Sequence, residues 1–358
     1  MQNADMPDFE TRLIAFYLPQ FHPIPENDAW WGKGFTEWRN TVRARPLFAG
    51  HYQPHLPADL GFYDLRVRET RIEQAALARQ YGIHGFCYYY YWFNGRRLLE
   101  RPLDEVHRSG EPDFPFCVCW ANENWTRRWD GQDNDILVAQ EYSPDADRRL
   151  IADLAPLFRD RRYIRIHGRP LFVIYRANSL PDPRASATRF REEARREGIE
   201  DPYLVCIQLP DMPAPTEWGF DAGLEFPPHG LELGDVTQSV EFDTPTQVKV
   251  WDYVYSAKAA IARQLPEYPL FRGIMTGWDN TPRLPGNGHV FVNAHAANYQ
   301  RWLTALVAQA RRSPRDERLL FINAWNEWAE GAHLEPDEAS GRAYLEATRS
   351  ALEVGERR

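Results

Sequence analysis

The segment LLFINAWNEWAEGAHLEPD, residues 319–337, runs from an apolar stretch into carboxylates set among tryptophans. Leu319 to Ile322 has the near-continuous apolar character of a parallel strand covered on both faces. Trp325, Asn326, Glu327 and Trp328 follow, with Glu330 three positions on. If the whole chain repeats this kind of strand, the carboxylates stand where an α/β barrel builds its site, at the C-terminal mouth of a strand.

The pattern does repeat. LIAFYLP (13–19), GFCYYYYW (85–92), PFCVCWAN (115–122), PLFVIYR (170–176), YLVCIQL (203–209), FDAGLEF (220–226) and FRGIMTGW (271–278) are further strand candidates. Between them lie segments with apolar residues three and four apart: 65–82, 145–160, 185–198, 252–265 and 298–312, closed by 340–354. Eight strands alternating with helices predict one (β/α)8 barrel over residues 1–358, with a core from about 12 to 354. The rival, a doubly wound open sheet, lacks its usual sign, a Gly-rich phosphate turn after an early strand. Residues 20–64 and 227–250 are too rich in Pro, Gly and aromatics for helices and are expected to be ordered loops.

A net charge of −9 argues against nucleic acid as a partner, because phosphate binding needs concentrated Lys and Arg. Cys87, Cys117, Cys119 and Cys206 all fall in apolar runs without C-x-x-C spacing, as expected of reduced core residues. The polar start MQNADMPDFETR has no signal-peptide character, and no run is long enough to span a membrane. A cytoplasmic protein is the expectation.

Aromatic content is 14%, with 13 Trp and 17 Tyr. The strand ends supply Tyr17 and Gln20, Tyr90 and Trp92, Trp120, Asn122 and Glu123, then Tyr175. Gln208, Glu225, Trp278 and Asn280, and finally Trp325 and Asn326 complete the series. Any one such residue commonly just satisfies loop backbone. Together they suit a sugar, whose C–H faces stack on aromatic rings while its hydroxyls need dense hydrogen bonding. The loop QFHPIPENDAWWGKGFTEWRN (20–40) adds Trp31, Glu37 and Trp38 and is expected to roof the pocket. An oligo- or polysaccharide is therefore the expected partner, with neither cofactor nor metal.

Glu327 and Glu330 could be an ordinary pair in the first turn of a helix. On a helix their Cβ atoms would lie about 5–6 Å apart, near the roughly 5–5.5 Å carboxyl spacing of retaining glycosidases. Trp325 and Trp328 would desolvate one carboxyl and raise its pKa, as a general acid requires.

The motif W-N-E-W-A-E-G-(x)3-E-P resembles the catalytic motif of glycoside hydrolase family 99, the endo-α-mannosidases. The segments at 17–65, 85–103 (GFCYYYYWFNGRRLLERPL) and 119–131 (CWANENWTRRWDG) are similar to a bacterial WbsX-like branch associated with O-antigen and capsule loci. The resemblance covers about residues 12 to 345. It implies a (β/α)8 barrel and metal-independent, retaining cleavage of an α-linked glycan. It further implies that Glu327 acts as base on the 2-hydroxyl of the sugar and Glu330 as general acid, then base. The aromatic first loop and the ANENW segment are features of that branch, so mannose specificity does not carry over.

The branch also bears a glycosyltransferase label, which keeps a transferase in O-antigen or capsule biosynthesis as the alternative. Its sequence cue, Asp133 to Asp135 (DND), sits among polar residues rather than closing an apolar strand. A metal-dependent hydrolase would draw on His51, His55 and Asp59, but Pro54 and Pro57 keep these off one helix face. A non-catalytic glycan-binding barrel would not need both glutamates.

Overall fold

The structure is a computed structural model that describes residues 9–127 and 132–357. Eight strands appear where the apolar runs predict them. They are β1 (Arg12–Tyr17), β2 (Ile83–Phe93), β3 (Phe116–Trp120), β4 (Arg169–Ile174), β5 (Tyr203–Ile207), β6 (Ala222–Leu224), β7 (Leu270–Met275) and β8 (Leu319–Asn323). Each pairs in parallel with its sequence neighbours, and β1 pairs with both β2 and β8. A sheet whose first strand bonds its last has no edge, which excludes the open-sheet rival. This is a (β/α)8 barrel.

The helices are α1 (Pro25–Trp31), α2 (Trp38–Arg43), α3 (Arg68–Gln80), α4 (Arg101–Ser109) and α5 (Pro144–Phe158). After them come α6 (Pro183–Arg196), α7 (Tyr253–Ala262), α8 (Ala296–Ala310) and α9 (Ala343–Gly355). Ser143, Asp182 and Asp252 cap α5, α6 and α7 by accepting from the backbone N–H three residues on. The β5–β6 connection holds only a 3-10 turn, Pro215–Trp218, because Pro210, Pro213 and Pro215 leave no room for a regular helix.

The first loop departs from the helix-free expectation. It contains α1 and α2; Pro25 opens α1 where no N–H is needed, and Gly32 at φ +95° marks its end. Near the mouth of the barrel Phe16 packs against Tyr89, Phe226 and Phe321, with ring centroids 5.6, 4.8 and 5.8 Å away. In β7, a Cβ on Gly273 would lie 2.2 Å from the Glu225 carbonyl oxygen, so only glycine lets these strands approach.

A two-stranded hairpin, Trp125–Arg127 with Gln132–Val138, stands beyond the end of β3. Asp133 to Asp135 lie on its second strand, outside the barrel; the side chains of Asp133 and Asn134 are not among those described. No helix among the described residues is long and apolar enough to cross a membrane.

Candidate active site

Beyond β8 the chain does not turn helical. Asn326–Glu327 forms a short antiparallel pair with Ala332–His333, joined by a 3-10 turn over Trp328–Glu330. Gly331 closes the turn at φ +61°, with a Cβ there only 3.1 Å from Asp279. The Asp279 amide donates to the Glu330 carbonyl at 2.6 Å. Asp279 is fixed in turn by His51 and Gln53, each 2.6 Å from its Oδ2. Burial opposes its charge, yet His51, Thr281 and Gln53 hold its pKa below the usual carboxylate value. Glu327 and Glu330 thus sit on a rigid hairpin.

The residue that unites the site is Arg283, from the loop after β7. Its Nη2 donates to Glu327 at 2.9 Å, its Nη1 to Glu330 at 2.5 Å and its Nε to Glu37 at 2.9 Å. Three carboxylates therefore converge on one guanidinium. Burial alone would weaken the Arg283 charge, but Glu37, Glu330 and Glu327 raise its pKa well above the ordinary value. Glu327 is pushed up to about 8, first by burial and then by Glu330 and Glu37, against the pull of Arg283. A general acid is the group expected to carry a raised pKa. The structure raises it at Glu327, because that carboxylate is buried at the foot of the hairpin.

Two hollows of about 690 and 330 Å³ meet over Glu327 and Arg283 to form one groove. The larger takes in Gln20, Trp31 and Asn122, and the smaller Tyr175, Trp278 and Asn280; Glu123 borders both. Glu37 reaches the groove through Arg283. Trp31 thus shares the larger hollow with Glu327, and Glu37 meets both carboxylates at Arg283. Trp38 instead packs 5.5 Å from the Trp328 ring and donates to the Tyr63 carbonyl, behind the site.

The remaining expected sugar contacts lie elsewhere. Tyr90, Trp92 and Trp120 point outward: Arg97 lies over Tyr90, Trp92 donates to Asp153, and Trp120 donates to the Trp92 carbonyl. Strand side chains alternate between faces, so Tyr89 and Tyr91 are the ones that line the groove. Tyr17 is buried against Gln74, at 2.7 Å. Glu225 is taken up by Arg272, Arg263 and the Gly273 amide, and it shares a separate hollow with Gln208. Trp325 is fully buried beneath the hairpin. Asn326 clamps β1, accepting from the Leu18 amide at 2.7 Å and donating to its carbonyl at 3.0 Å.

Sequence reasoning also passed over Arg283, Tyr89, Tyr91, Asn124 and Trp125. One cue was available for Arg283: a pair of buried carboxylates needs a cation, and WDNTPR ends the seventh strand with one. Glu335, the last glutamate of the motif, is structural. It accepts from Tyr63 at 2.7 Å, Gln74 at 2.6 Å and Trp328 at 2.7 Å, and burial pushes its pKa up to about 7.

An aromatic groove with paired carboxylates thus stands at the mouth of a (β/α)8 barrel of glycosidase-like fold. The family described as glycosyltransferase WbsX matches residues 13–348, and the chain belongs to it. It is 48% identical over 342 residues to the uncharacterized protein WxcX of Xanthomonas campestris pv. campestris, in strain B100 and in strain ATCC 33913 alike. That match spans 95% of this chain and 49% of the relative, so the chain corresponds to about half of the longer protein. Among solved structures, a glycoside hydrolase-like protein superposes with TM-score 0.61 at 14% identity, covering 98% of this chain and 96% of the other. The family 99 endo-α-mannosidase of Bacteroides thetaiotaomicron, in complex with bis-tris propane, superposes with TM-score 0.59 at 16% identity over 97% of each chain. At such identities the structural likeness speaks for the fold.

Proposed function

We propose that this chain is a retaining glycoside hydrolase acting on an α-linked, manno- or rhamno-configured bacterial polysaccharide such as an O-antigen or capsule glycan. The observation that carries the proposal is the convergence of Glu327 and Glu330 on Arg283 inside an aromatic groove.

In the first step Glu327 takes the proton of the 2-hydroxyl, whose oxygen attacks C1 as the bond from C1 to the glycosidic oxygen breaks. Glu330 gives its proton to that leaving oxygen. Water then enters from the vacated side, losing a proton to Glu330, while O2 leaves C1 and recovers its proton from Glu327. Two inversions at C1 give net retention. A raised pKa makes Glu327 a stronger base toward a hydroxyl. With Glu330 protonated, Glu327 and Glu37 still outnumber the one guanidinium, and a negative site favours the positive charge that develops at C1.

A second reading draws on the family's own description as a glycosyltransferase: the same carboxylates would pass a sugar to an acceptor in polysaccharide synthesis. One experiment separates the two. The purified chain is incubated with manno- and rhamno-configured O-antigens and capsules, and separately with nucleotide sugars plus acceptor. The proposal expects new reducing ends of retained configuration in the first set. Turnover confined to the second would establish the transferase.

A further inference from the structure

The proposed chemistry leaves one sequence cue unused, the histidines of the first loop. The structure separates them. His51 accepts from the Leu47 amide at Nδ1 (3.1 Å) and donates from Nε2 to Asp279 (2.6 Å). Asp59 pairs with Arg342 at 2.6 Å. His55 instead faces the catalytic hairpin, its Nδ1 2.8 Å from His333 Nε2. His333 Nε2 lies 3.6 Å from Asp337 Oδ2, and the ligand atoms of the three residues fall within 4.8 Å of one another.

We propose that His55, His333 and Asp337 form a binding site for one zinc-class divalent cation, which braces the hairpin carrying Glu327. The tautomer of His333 is the first support. Its Nδ1–H donates to the Glu335 carbonyl at 3.0 Å, so its Nε2 presents a lone pair, as in metal-bound imidazoles whose other nitrogen is held by a carbonyl. Asp337 is buried; its Oδ1 accepts from the Ser340 amide at 2.5 Å, and its Oδ2 is the oxygen turned toward His333.

The spacing calls for a shift of His55, which must open from His333 and close on Asp337 from a separation of up to 4.8 Å. Bonds of about 2.0–2.1 Å at tetrahedral angles set ligand atoms roughly 3.3 Å apart. The His333–Asp337 separation is already close to this. The His55–His333 pair must open slightly, and His55 is only partly buried, its ring 4.3 Å from that of Tyr52. Without the cation, His55 Nδ1–H donates to His333. On binding, that proton moves to His55 Nε2, so both rings ligate neutral and no proton is lost.

Two imidazoles and one carboxylate suit zinc, cobalt or nickel, whereas calcium and magnesium take oxygen donors. A hollow of about 480 Å³ borders all three side chains and has room for a fourth ligand, water. Of its lining only Trp278 is shared with the substrate groove, so the cation sits apart from the carboxylates. His333 pairs with Asn326 in the hairpin, and its ring stacks on Trp328 at 3.9 Å. The cation therefore ties the first loop to the strand holding Glu327.

The test uses the full chain after chelator treatment and dialysis, titrated with zinc chloride against a chromophoric chelator. Unfolding temperature is followed in parallel, and cobalt chloride serves as a spectroscopic probe. We expect one equivalent of zinc, a raised unfolding temperature, and the strong visible bands of four-coordinate cobalt. His55→Gln and Asp337→Asn should each weaken binding by at least about tenfold, while Glu327→Gln leaves it unchanged. Circular dichroism checks that the variants fold, and the partly exposed His55 keeps the test valid if Asp337→Asn does not. No saturable binding, or binding equally tight in His55→Gln, overturns the site and leaves the pair as a plain imidazole hydrogen bond.

Discussion

Arg283 donates to Glu327 at 2.9 Å across 44 residues of sequence, and the same guanidinium also holds Glu330 and Glu37. Removing it would leave three carboxylates around an unneutralised centre. Breaking a buried ion pair from one side costs about 3–5 kcal/mol. We therefore expect Arg283→Gln to lower the unfolding temperature clearly and to abolish measurable turnover. Arg283→Lys should restore stability better than activity, since a point charge cannot fork to three partners. Differential scanning calorimetry beside glycan cleavage assays checks both.

Glu327, with its pKa near 8, must be ionised to act as a base. Activity measured as kcat/KM should rise with pH along an acid limb governed by Glu327, which titrates at about 8, and fall again as the general acid Glu330 loses its proton. Arg283→Lys, which weakens the pull on Glu327, should move that limb further up. A limb lying near the ordinary carboxylate value would show that Glu327 is not the titrating base.

The same shift has a stability signature. The folded pKa of Glu327 stands above its unfolded value of 4.5, so the folded state holds the proton more tightly. Stability from this group is fully present below 4.5 and is lost as pH rises toward about 8. Glu327→Gln does not titrate. The variant should gain stability relative to the parent chain through that window, with no further gain above it. Chemical denaturation at several pH values measures the difference directly.

Glu330→Gln should slow cleavage of natural glycans by about 10²–10⁴. Substrates with a good leaving group need less protonation and should lose less in the first step. Equal losses on both, with bond cleavage rate-limiting, would remove Glu330 from the acid role.

Trp31→Ala should raise KM for long glycans while leaving the kcat of short activated substrates nearly intact, since Trp31 lines the groove away from Glu330. A comparable loss of kcat on both would place it in the chemistry instead.

How much of this was legible beforehand follows from what each signal depends on. The eight strands were, because burial on both faces writes itself as a continuous apolar run. That same continuity hid the facing of the side chains. In GFCYYYYW the period of two has no polar partner to mark it, so nothing in the run distinguishes Tyr90 and Trp92 from Tyr89 and Tyr91, which face the groove. Glu327 and Glu330 stood out beside tryptophans, but their spacing was read as a helical turn rather than a hairpin, since Gly331 and its contact with Asp279 are tertiary facts. Arg283 was missed for the same reason: a lone arginine in a Pro- and Gly-bearing loop carries no local mark of its three partners. Asn326 and Glu225 show the converse. Each has the right chemistry for a ligand and is occupied by the scaffold.

The account turns on Glu327 acting on the 2-hydroxyl and never bonding to carbon. The most direct measurement compares the initial rate on a matched pair of α-linked manno- or rhamno-configured substrates, one with the 2-hydroxyl of the cleaved residue and one 2-deoxy. The account predicts cleavage of the first and none of the second, because without O2 there is no nucleophile beside C1. Efficient cleavage of the 2-deoxy substrate, together with a sugar ester on Glu327 in the mass spectrum, would contradict it and make Glu327 a direct nucleophile.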